Sequence, residues 1–263
     1  MDHPGRRIGH ESRLRPTPDQ ALVLASLAGV TALAWLYLVH MARHGSGMAM
    51  SDAMLAAHPG AGLAAFGLTA LMWAVMMVGM MLPSAVPMVL LFTAVQRRHA
   101  ARPGLRTALF VAGYLVVWGG FAILAAGAQS LLAGAALLSE SLTLTGPWPG
   151  GLLFLAAALY ELSPLKRRCL DGCQGPVAFI VAHWRPGAWG ALRMGLAHGA
   201  YCLGCCWVLM LLLFVGGVMN LAWVGLLAAL VLAQKLAPGG VAVARATSAV
   251  LALAGLVLLV RAL

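Results

Sequence analysis

Long apolar segments are the feature that most constrains how this chain can fold. Runs with few charges occur near residues 21–41, 63–95, 107–135, 150–165, 191–218, 221–236 and 241–263. A bilayer core is about 30 Å thick, and an α-helix crosses it with roughly 20 apolar residues. Because 62% of the residues are hydrophobic and 9% are charged, we expect lipid to be the main solvent. The pattern predicts an all-α, polytopic transmembrane bundle of about seven helices.

The apolar runs also predict how the chain is divided. Residues 1–20 are polar and are predicted to form a flexible cytoplasmic tail, and residues 21–263 a single membrane domain. The first run is too long for the apolar core of a signal peptide, so we interpret it as a retained helix. The runs at 150–165 and 221–236 are short, and they are expected to borrow neighbouring residues or to pack inside the bundle.

The positive charges predict the orientation. Lys and Arg near the ends of spans stay preferentially on the cytoplasmic side. A cytoplasmic N-terminus puts all of them on one side except Arg43 and Arg261. The net charge of +10 is then an orientation signal and an attraction to anionic lipid. Because the charges lie in short loops, a nucleic-acid partner is not expected.

A cysteine-rich segment, HGAYCLGCCW, carries the strongest chemical signal. His198, Cys202, Cys205 and Cys206 share one face if the segment is helical. Imidazole and thiolate suit Cu(I) or zinc, and polar groups inside a membrane are costly enough to suggest a function. The alternative is that the cysteines pack as small hydrophobic residues and the histidine bonds a carbonyl.

A second cysteine pair, Cys169 and Cys173, lies in KRRCLDGC on the side predicted to be cytoplasmic. A reducing compartment disfavours a structural disulfide and favours free thiols or metal ligation. The adjacent Lys166, Arg167 and Arg168 are predicted to lower the pKa of both thiols.

Methionines form two stripes in the second run. Met72, Met76 and Met80 follow one another at four-residue spacing, and Met77 and Met81 form an adjacent stripe. Thioethers are soft ligands that suit Cu(I), so a methionine stripe facing thiolates favours copper over zinc. The alternative is that the methionines only fill the core.

Depth within the membrane predicts which of these residues meet. Counting about 1.5 Å per residue from the outer ends of the two runs, taken as Leu63 and Val218, pairs Met76 with Cys206. The same count pairs Met80 with Cys202.

Two prolines, Pro83 and Pro87, follow the methionines. They are expected to kink the helix and to free carbonyl groups, which membrane proteins tolerate where the backbone lines a cavity or where a neighbouring helix satisfies them.

Glu161, in YELSPLK, is predicted to pair with Lys166 at the membrane interface. The alternative is a carboxylate that balances metal charge or relays a proton. Gln234 and Lys235 end the sixth run in a similar way.

A predicted outer loop, residues 40–62, is rich in methionine and histidine. Its soft donors are His40, Met41, His44, Met48, Met50, Met54 and His58. Methionine binds copper in oxidising compartments where thiols are oxidised, so the loop is predicted to hold a soft metal loosely. The alternative is an ordinary loop.

The segments MWAVMMVGMMLP, YELSPLKRRCLDGC and HGAYCLGCCWVLMLLLFVGGVMN followed by QK resemble a bacterial family of predicted metal-binding integral membrane proteins of unknown function. The resemblance covers roughly residues 65–240 and implies a multi-pass protein of the bacterial inner membrane. The family tends to have Gln where this chain has Glu161, and Glu where it has Gln234.

These features favour a protein that binds and moves copper. Copper is the predicted metal, and zinc is the alternative. The predicted ligands are Met76, Met77, Met80, Met81, Cys169, Cys173, His198, Cys202, Cys205 and Cys206. The protein is expected to take up, transfer or deliver Cu(I). Its expected partners are the lipid bilayer, the metal ion and a metal chaperone or metal-receiving protein. The alternatives are a copper-dependent membrane oxidoreductase acting on a small or lipid-soluble substrate and a thiol redox protein, both less favoured than a non-enzymatic role.

Overall fold

Helices form almost all of the chain that the computed structural model describes, which comprises residues 18–44, 62–99, 102–139 and 142–262. We number the helices α1 Pro18–His44, α2 Leu63–His99, α3 Pro103–Gly134, α4 Pro147–Glu161, α5 Pro164–Gln174, α6 Pro176–His183, α7 Gly187–Leu211, α8 Leu213–Gly216, α9 Leu221–Leu236 and α10 Gly240–Val260. Within these ranges the only β-type pairing is an isolated bridge between Leu138 and Leu144. The predicted all-α class is therefore confirmed.

Five helices are long and apolar enough to cross a membrane, namely α1, α2, α3, α7 joined to α8, and α10. Helices α4 and α9 contain 15 and 16 residues, so each is shorter than the roughly 20 residues that a bilayer core requires. The expectation that these two segments are short is confirmed. A count of seven spans and a cytoplasmic N-terminus stay predictions.

The basic segment after α4 is helical. Helix α5 begins where the Ser163 side chain accepts a hydrogen bond from the backbone N–H of Lys166 at 3.1 Å, an ordinary N-cap. Lys166 and Leu170 are buried and Arg167 is exposed, so one face of α5 packs inward. That face carries Cys169 and Cys173 toward α7.

Close contact between α3 and α7 depends on glycine. A Cβ added at Gly113 would collide with the carbonyl of Leu192, and one added at Gly195 would collide with the carbonyl of Phe110. A Cβ at Gly199 would lie 3.0 Å from Val117 Cβ. Small residues at such crossings let two helix backbones approach closely. The approach brings the aromatic side chains of α3 against the cysteines of α7.

Pro83 acts on the backbone as the sequence predicts. It has no N–H, so the carbonyl of Gly79, four residues earlier, loses its usual partner. Trp35 of α1 donates its indole N–H to that carbonyl at 3.2 Å. A neighbouring helix therefore satisfies the released carbonyl, and α2 continues through both prolines.

Two predicted regions lie largely outside the described residues: the tail at 1–17 and the segment 45–61 of the Met/His loop. Met48, Met50, Met54 and His58 belong to that segment. At the end of α1, Met41 is buried with 4% of its surface exposed.

Candidate metal centre

Three cysteines of α7 are buried together. Cys202, Cys205 and Cys206 each expose 2% or less of their surface. The thiols of Cys205 and Cys206 donate to the carbonyl of Cys202 at 3.1 and 3.0 Å. Their sulfur lone pairs therefore remain directed into the bundle. Together with Met81 and Cys173 we call these residues the sulfur cluster.

Cys202 has the most polar surroundings of the sulfur cluster. Lys235 of α9 donates from Nζ to Cys202 Sγ at 2.8 Å and to Ser84 Oγ at 3.2 Å. The Tyr114 hydroxyl lies 3.0 Å from Cys202 Sγ and donates to the carbonyl of Met81 at 2.9 Å. Tyr114 thus links the cysteines of α7 to the methionines of α2.

Lys235 is a buried ammonium with 5% of its surface exposed. The two ion pairs within the described ranges are Arg97–Asp19 and Lys166–Glu161, so Lys235 has no carboxylate partner there. A charge in an apolar interior needs a compensating partner. The electron-rich sulfur of Cys202 occupies that place.

A thioether completes the sulfur cluster. Cys206 Sγ lies 3.8 Å from Met81 Sδ. The preceding turns of α2 carry three more buried methionines, Met76, Met77 and Met80, each with 2% or less of its surface exposed.

The predicted register of Met76 opposite Cys206 is wrong by about one helical turn, because Met81 makes the contact with Cys206. Helix α2 has 37 residues and is about 55 Å long, well beyond the thickness of a bilayer core. The prediction took Leu63 and Val218 to lie at the same depth, and the contact between Met81 and Cys206 shows that this assumption displaces the register of α2 by five residues.

His198 lies one turn before Cys202 and is 3% exposed. Its ring packs against Phe110, Tyr114 and Phe179, with centroid distances of 5.9, 5.8 and 5.3 Å. Its Nδ1 has no hydrogen-bond partner among the described residues. The alternative in which this histidine simply bonds a carbonyl through Nδ1 is therefore not what the geometry shows.

Cys173 joins the sulfur cluster instead of forming a separate site with Cys169. Its Sγ is 3.9 Å from Cys205 Sγ because α5 packs across α7. Cys169 is half-buried against Gly204, where an added Cβ would lie 2.6 Å from Cys169 Sγ. The second cysteine pair is thus divided between the cluster and its edge.

The predicted lowering of the thiol pKa at Cys169 and Cys173 is wrong. Burial, followed by the nearby Cys205, raises the pKa of Cys169. Hydrogen bonds to Cys202 and Cys205, followed by burial, raise the pKa of Cys173. The basic residues do not oppose this effect, because Arg167 and Arg168 are exposed and Lys166 is directed into another network.

The predicted pairing of Glu161 with Lys166 is confirmed, but the pair is buried, with 1% of each side chain exposed. Lys166 Nζ donates to Glu161 Oε1 and, at 2.7 Å, to Gln234 Oε1. Gln234 Nε2 donates to Glu161 Oε2 at 2.9 Å and to Thr247 Oγ1 at 3.3 Å. We call these four residues the ion-pair network. Glu161 and Gln234, where the resembling family exchanges Glu and Gln, are therefore direct neighbours.

The arrangement of donors differs from a closed zinc site. Across the part of the chain that the structure describes, no three His, Cys, Asp or Glu side chains converge as a ready metal-binding group. The sulfurs instead lie in pairs, Cys206 with Met81 and Cys205 with Cys173. Structural zinc sites use four tetrahedral ligands, whereas thiolate and thioether donors select Cu(I).

Sequence reasoning missed two neighbours of Cys202. Lys235 was noted only as the end of an apolar run, although a lysine within a membrane segment is itself a functional signal. Tyr114 had no such signal, because its role depends on how closely α3 packs against α7.

The fold and the sulfur cluster define an all-helical protein whose long apolar helices enclose soft donor atoms. Comparison with known families gives the particular family: the chain belongs to the PpoB2 copper chaperones, which it matches over residues 70–258. The match begins within α2 and includes every residue of the sulfur cluster. The function of the protein is therefore related to copper. No curated protein and no solved structure matches the chain.

Proposed function

We propose that this protein is an integral membrane copper carrier that binds Cu(I) in the sulfur cluster and transfers it to a receiving protein. Membership of the copper chaperone family and the length of five apolar helices support this proposal. The observation that carries it is the buried contact of Cys206 with Met81, 3.8 Å apart, beside the Cys202–Lys235 pair.

The sulfur pairs have a separation that suits one shared ion. A zinc–thiolate bond of about 2.3 Å is a guide to metal–sulfur lengths, so two such bonds span at most about 4.6 Å. Cys206 and Met81 are 3.8 Å apart, and Cys205 and Cys173 are 3.9 Å apart. Each pair can bind one ion with a bent geometry, and Cys202 lies one turn earlier on α7 than the cysteines of both pairs. The two pairs are proposed as successive positions in transfer.

Charge supports a monovalent metal. Thiolates at Cys202 and Cys206 together with one Cu(I) carry a net charge of −1, and the Lys235 ammonium beside Cys202 makes the loaded site neutral. A neutral site avoids much of the cost of holding charge in an apolar interior. A divalent zinc ion with the same ligands leaves a net positive charge.

Further parts of the proposal extend beyond the sulfur cluster. The Met/His loop at 40–62 is proposed to collect copper on the outer side, and Met76, Met77 and Met80 to provide additional donors between the loop and the cysteines. His198 is proposed as an additional donor on the other side of the cysteines. Cys169, at the edge of the cluster, is proposed as an exchange ligand. The bacterial inner membrane is the proposed location, with a metal chaperone or metal-receiving protein as partner.

One observation favours a second candidate function. The Cys173 and Cys205 sulfurs, 3.9 Å apart, are close enough to form a disulfide after a small movement, as a thiol redox protein requires. A purified protein that lacks copper and whose thiols cycle with a quinone supports that function. A copper-dependent oxidoreductase instead predicts turnover of a small substrate by the loaded protein.

The direct test is copper analysis of protein purified in mild detergent after growth with copper. We expect about one copper or more per wild-type chain, because the paired sulfurs provide soft ligands. The double variant Cys202→Ser with Cys206→Ser removes the Cys206–Met81 position and is expected to hold less copper than the wild type, with the Cys173–Cys205 pair left as the remaining position. Met88→Leu, a buried methionine of α2 outside the cluster, is the matched control. Equal copper in the wild type and the double variant contradicts the proposal.

A further inference from the structure

A small cavity opens beside the first half of α7. It has a volume of about 190 Å³ and is lined by His183, Arg185, Arg193, Met194 and Ala197. The residues come from the end of α6, the connection after it and the second turn of α7. The cavity therefore lies on the same helix as the sulfur cluster, but toward its other end.

The rim of the cavity is basic. Arg185 and Arg193 are exposed, and neither belongs to an ion pair within the described ranges. The Arg193 guanidinium lies 5.3 Å from the Trp189 ring centroid, which is a cation–π contact. His183 Nδ1 lies 3.1 Å from the carbonyl oxygen of Phe179, so Nδ1–H donates to that carbonyl. The rim thus offers two cations and an imidazole to an anionic ligand.

The inner wall of the cavity is a soft donor. Met194 lines the cavity although only 1% of its surface is exposed. Met194, His198, Cys202 and Cys206 follow one another at four-residue spacing on α7, so they form one stripe about 18 Å long. The second donor in this stripe, His198, has a buried Nδ1 without a hydrogen-bond partner among the described residues. A continuous series of soft donors therefore joins the cavity to the sulfur cluster.

From this arrangement we propose that the cavity binds an anionic Cu(I)–thiolate complex of a small carboxylate-bearing thiol. Met194 and His198 then pass the ion to Cys202. The inference rests on the proposed function and adds the form in which copper is exchanged. Each step forms one bond from copper to Met194, His198 or Cys202 and breaks one bond to the previous donor. The copper stays Cu(I), and the released thiolate leaves with its electron pair.

An anionic lipid headgroup is the competing occupant, since Arg185 and Arg193 also suit a phosphate group. The thioether of Met194 favours the copper complex over the headgroup. A headgroup gains nothing from a thioether at the inner wall, whereas Cu(I) is the kind of ion that a thioether ligates. The alignment of Met194 with His198 and Cys202 likewise serves a metal and not a lipid.

The test measures the rate at which Cu(I) enters the purified apo protein in uncharged detergent. Copper is supplied either as its glutathione complex, which is anionic, or as its thiourea complex, whose ligand is uncharged. Arg185→Gln with Arg193→Gln is expected to slow loading from glutathione by about tenfold, because charge complementarity raises association rates by 10–10³-fold. Loading from thiourea and the final copper content are expected to stay unchanged. Arg245→Gln, an exposed arginine outside the cavity, is the matched control.

The stripe is tested separately with Met194→Leu, which keeps the side-chain volume and is expected to slow loading from both complexes. The inference is overturned if the double arginine variant loads from glutathione at the wild-type rate. It is also overturned if the arginines affect loading only in vesicles that contain phosphatidylglycerol, because a lipid is then the occupant. Failure of the proposed function is a different result: wild-type protein that holds no copper at equilibrium from either source.

Discussion

Gln234 and Lys235 are adjacent on α9, yet they enter two different buried polar regions. Gln234 belongs to the ion-pair network, where the Glu161 carboxylate and the Lys166 ammonium compensate each other. Lys235 contacts the sulfur cluster, where its nearest partners are Cys202 Sγ at 2.8 Å and Ser84 Oγ at 3.2 Å. One turn of helix thus supplies both regions.

The difference lies in how completely each region satisfies its own atoms. In the ion-pair network the charges cancel, and Gln234 has partners at both its oxygen and its nitrogen. In the sulfur cluster the contacts between sulfur atoms are 3.8 and 3.9 Å, which are weak hydrogen bonds at best. A region that is satisfied without a ligand serves stability. Weakly engaged sulfur atoms beside an ammonium that balances thiolate charge suit a bound Cu(I) ion, as the proposed function requires.

The largest effect is expected from breaking the ion-pair network. Glu161→Gln leaves Lys166 buried without a counter-charge, and removing one partner of a buried ion pair costs about 3–5 kcal/mol. We expect a loss of that size in the free energy of unfolding, measured by dodecyl sulfate titration in mixed micelles. The copper content of the protein that remains folded is expected to be unchanged.

A double exchange sharpens this prediction. Glu161→Gln combined with Gln234→Glu returns a carboxylate to the network next to Lys166, since Gln234 Oε1 is already 2.7 Å from Lys166 Nζ. We expect the double variant to recover most of the lost stability. If the two single losses simply add, the carboxylate position is not exchangeable, and the interpretation of these residues as one network is wrong.

The next largest effect is expected at Lys235. Lys235→Met removes the counter-charge of the loaded sulfur cluster, and the loss of a partner adjacent to metal ligands typically costs 10–100-fold in metal affinity. We expect a weakening of that order for Cu(I), measured by competition with a chromophoric Cu(I) chelator. Lys235→Arg retains the positive charge and is expected to weaken binding less. If Lys235→Met and the wild type bind Cu(I) with equal affinity, the Lys235 ammonium does not balance the charge of the loaded sulfur cluster.

The smallest effect is expected at Met81. Met81→Leu removes the thioether that lies 3.8 Å from Cys206 Sγ but keeps an apolar side chain of similar size. We expect Cu(I) affinity to fall by about tenfold and stability to change by less than about 1.5 kcal/mol. The same chelator competition checks this, with Met88→Leu as control. An equal effect of both substitutions indicates that these methionines only fill the core.

The helices were predictable because their signals are local. Apolar runs gave the long helices, and the missing N–H of Pro83 predicted that a backbone carbonyl of the same helix would be released. The spacing of Cys202, Cys205 and Cys206 predicted that they share one face of a helix, and all three are buried on α7. Each of these inferences uses residues within one helix.

The remaining features depend on contacts between helices. Cys173 reaches Cys205 because α5 packs against α7. The basic residues of α5 had predicted only that this segment lies on the cytoplasmic side. Tyr114 reaches Cys202 because glycines bring α3 and α7 together. The register of Met81 with Cys206 depends on how α2 is placed along α7 in the bundle. None of these distances is encoded in the spacing of residues along one segment.

The most direct test of the central claim is X-ray absorption spectroscopy at the copper edge on the purified, copper-loaded protein. The account predicts Cu(I) with a first shell dominated by sulfur, and a weaker sulfur signal in the Cys202→Ser and Cys206→Ser double variant, which keeps only the Cys173–Cys205 pair. A first shell of nitrogen and oxygen only, or a sulfur shell that the double variant leaves intact, would contradict it.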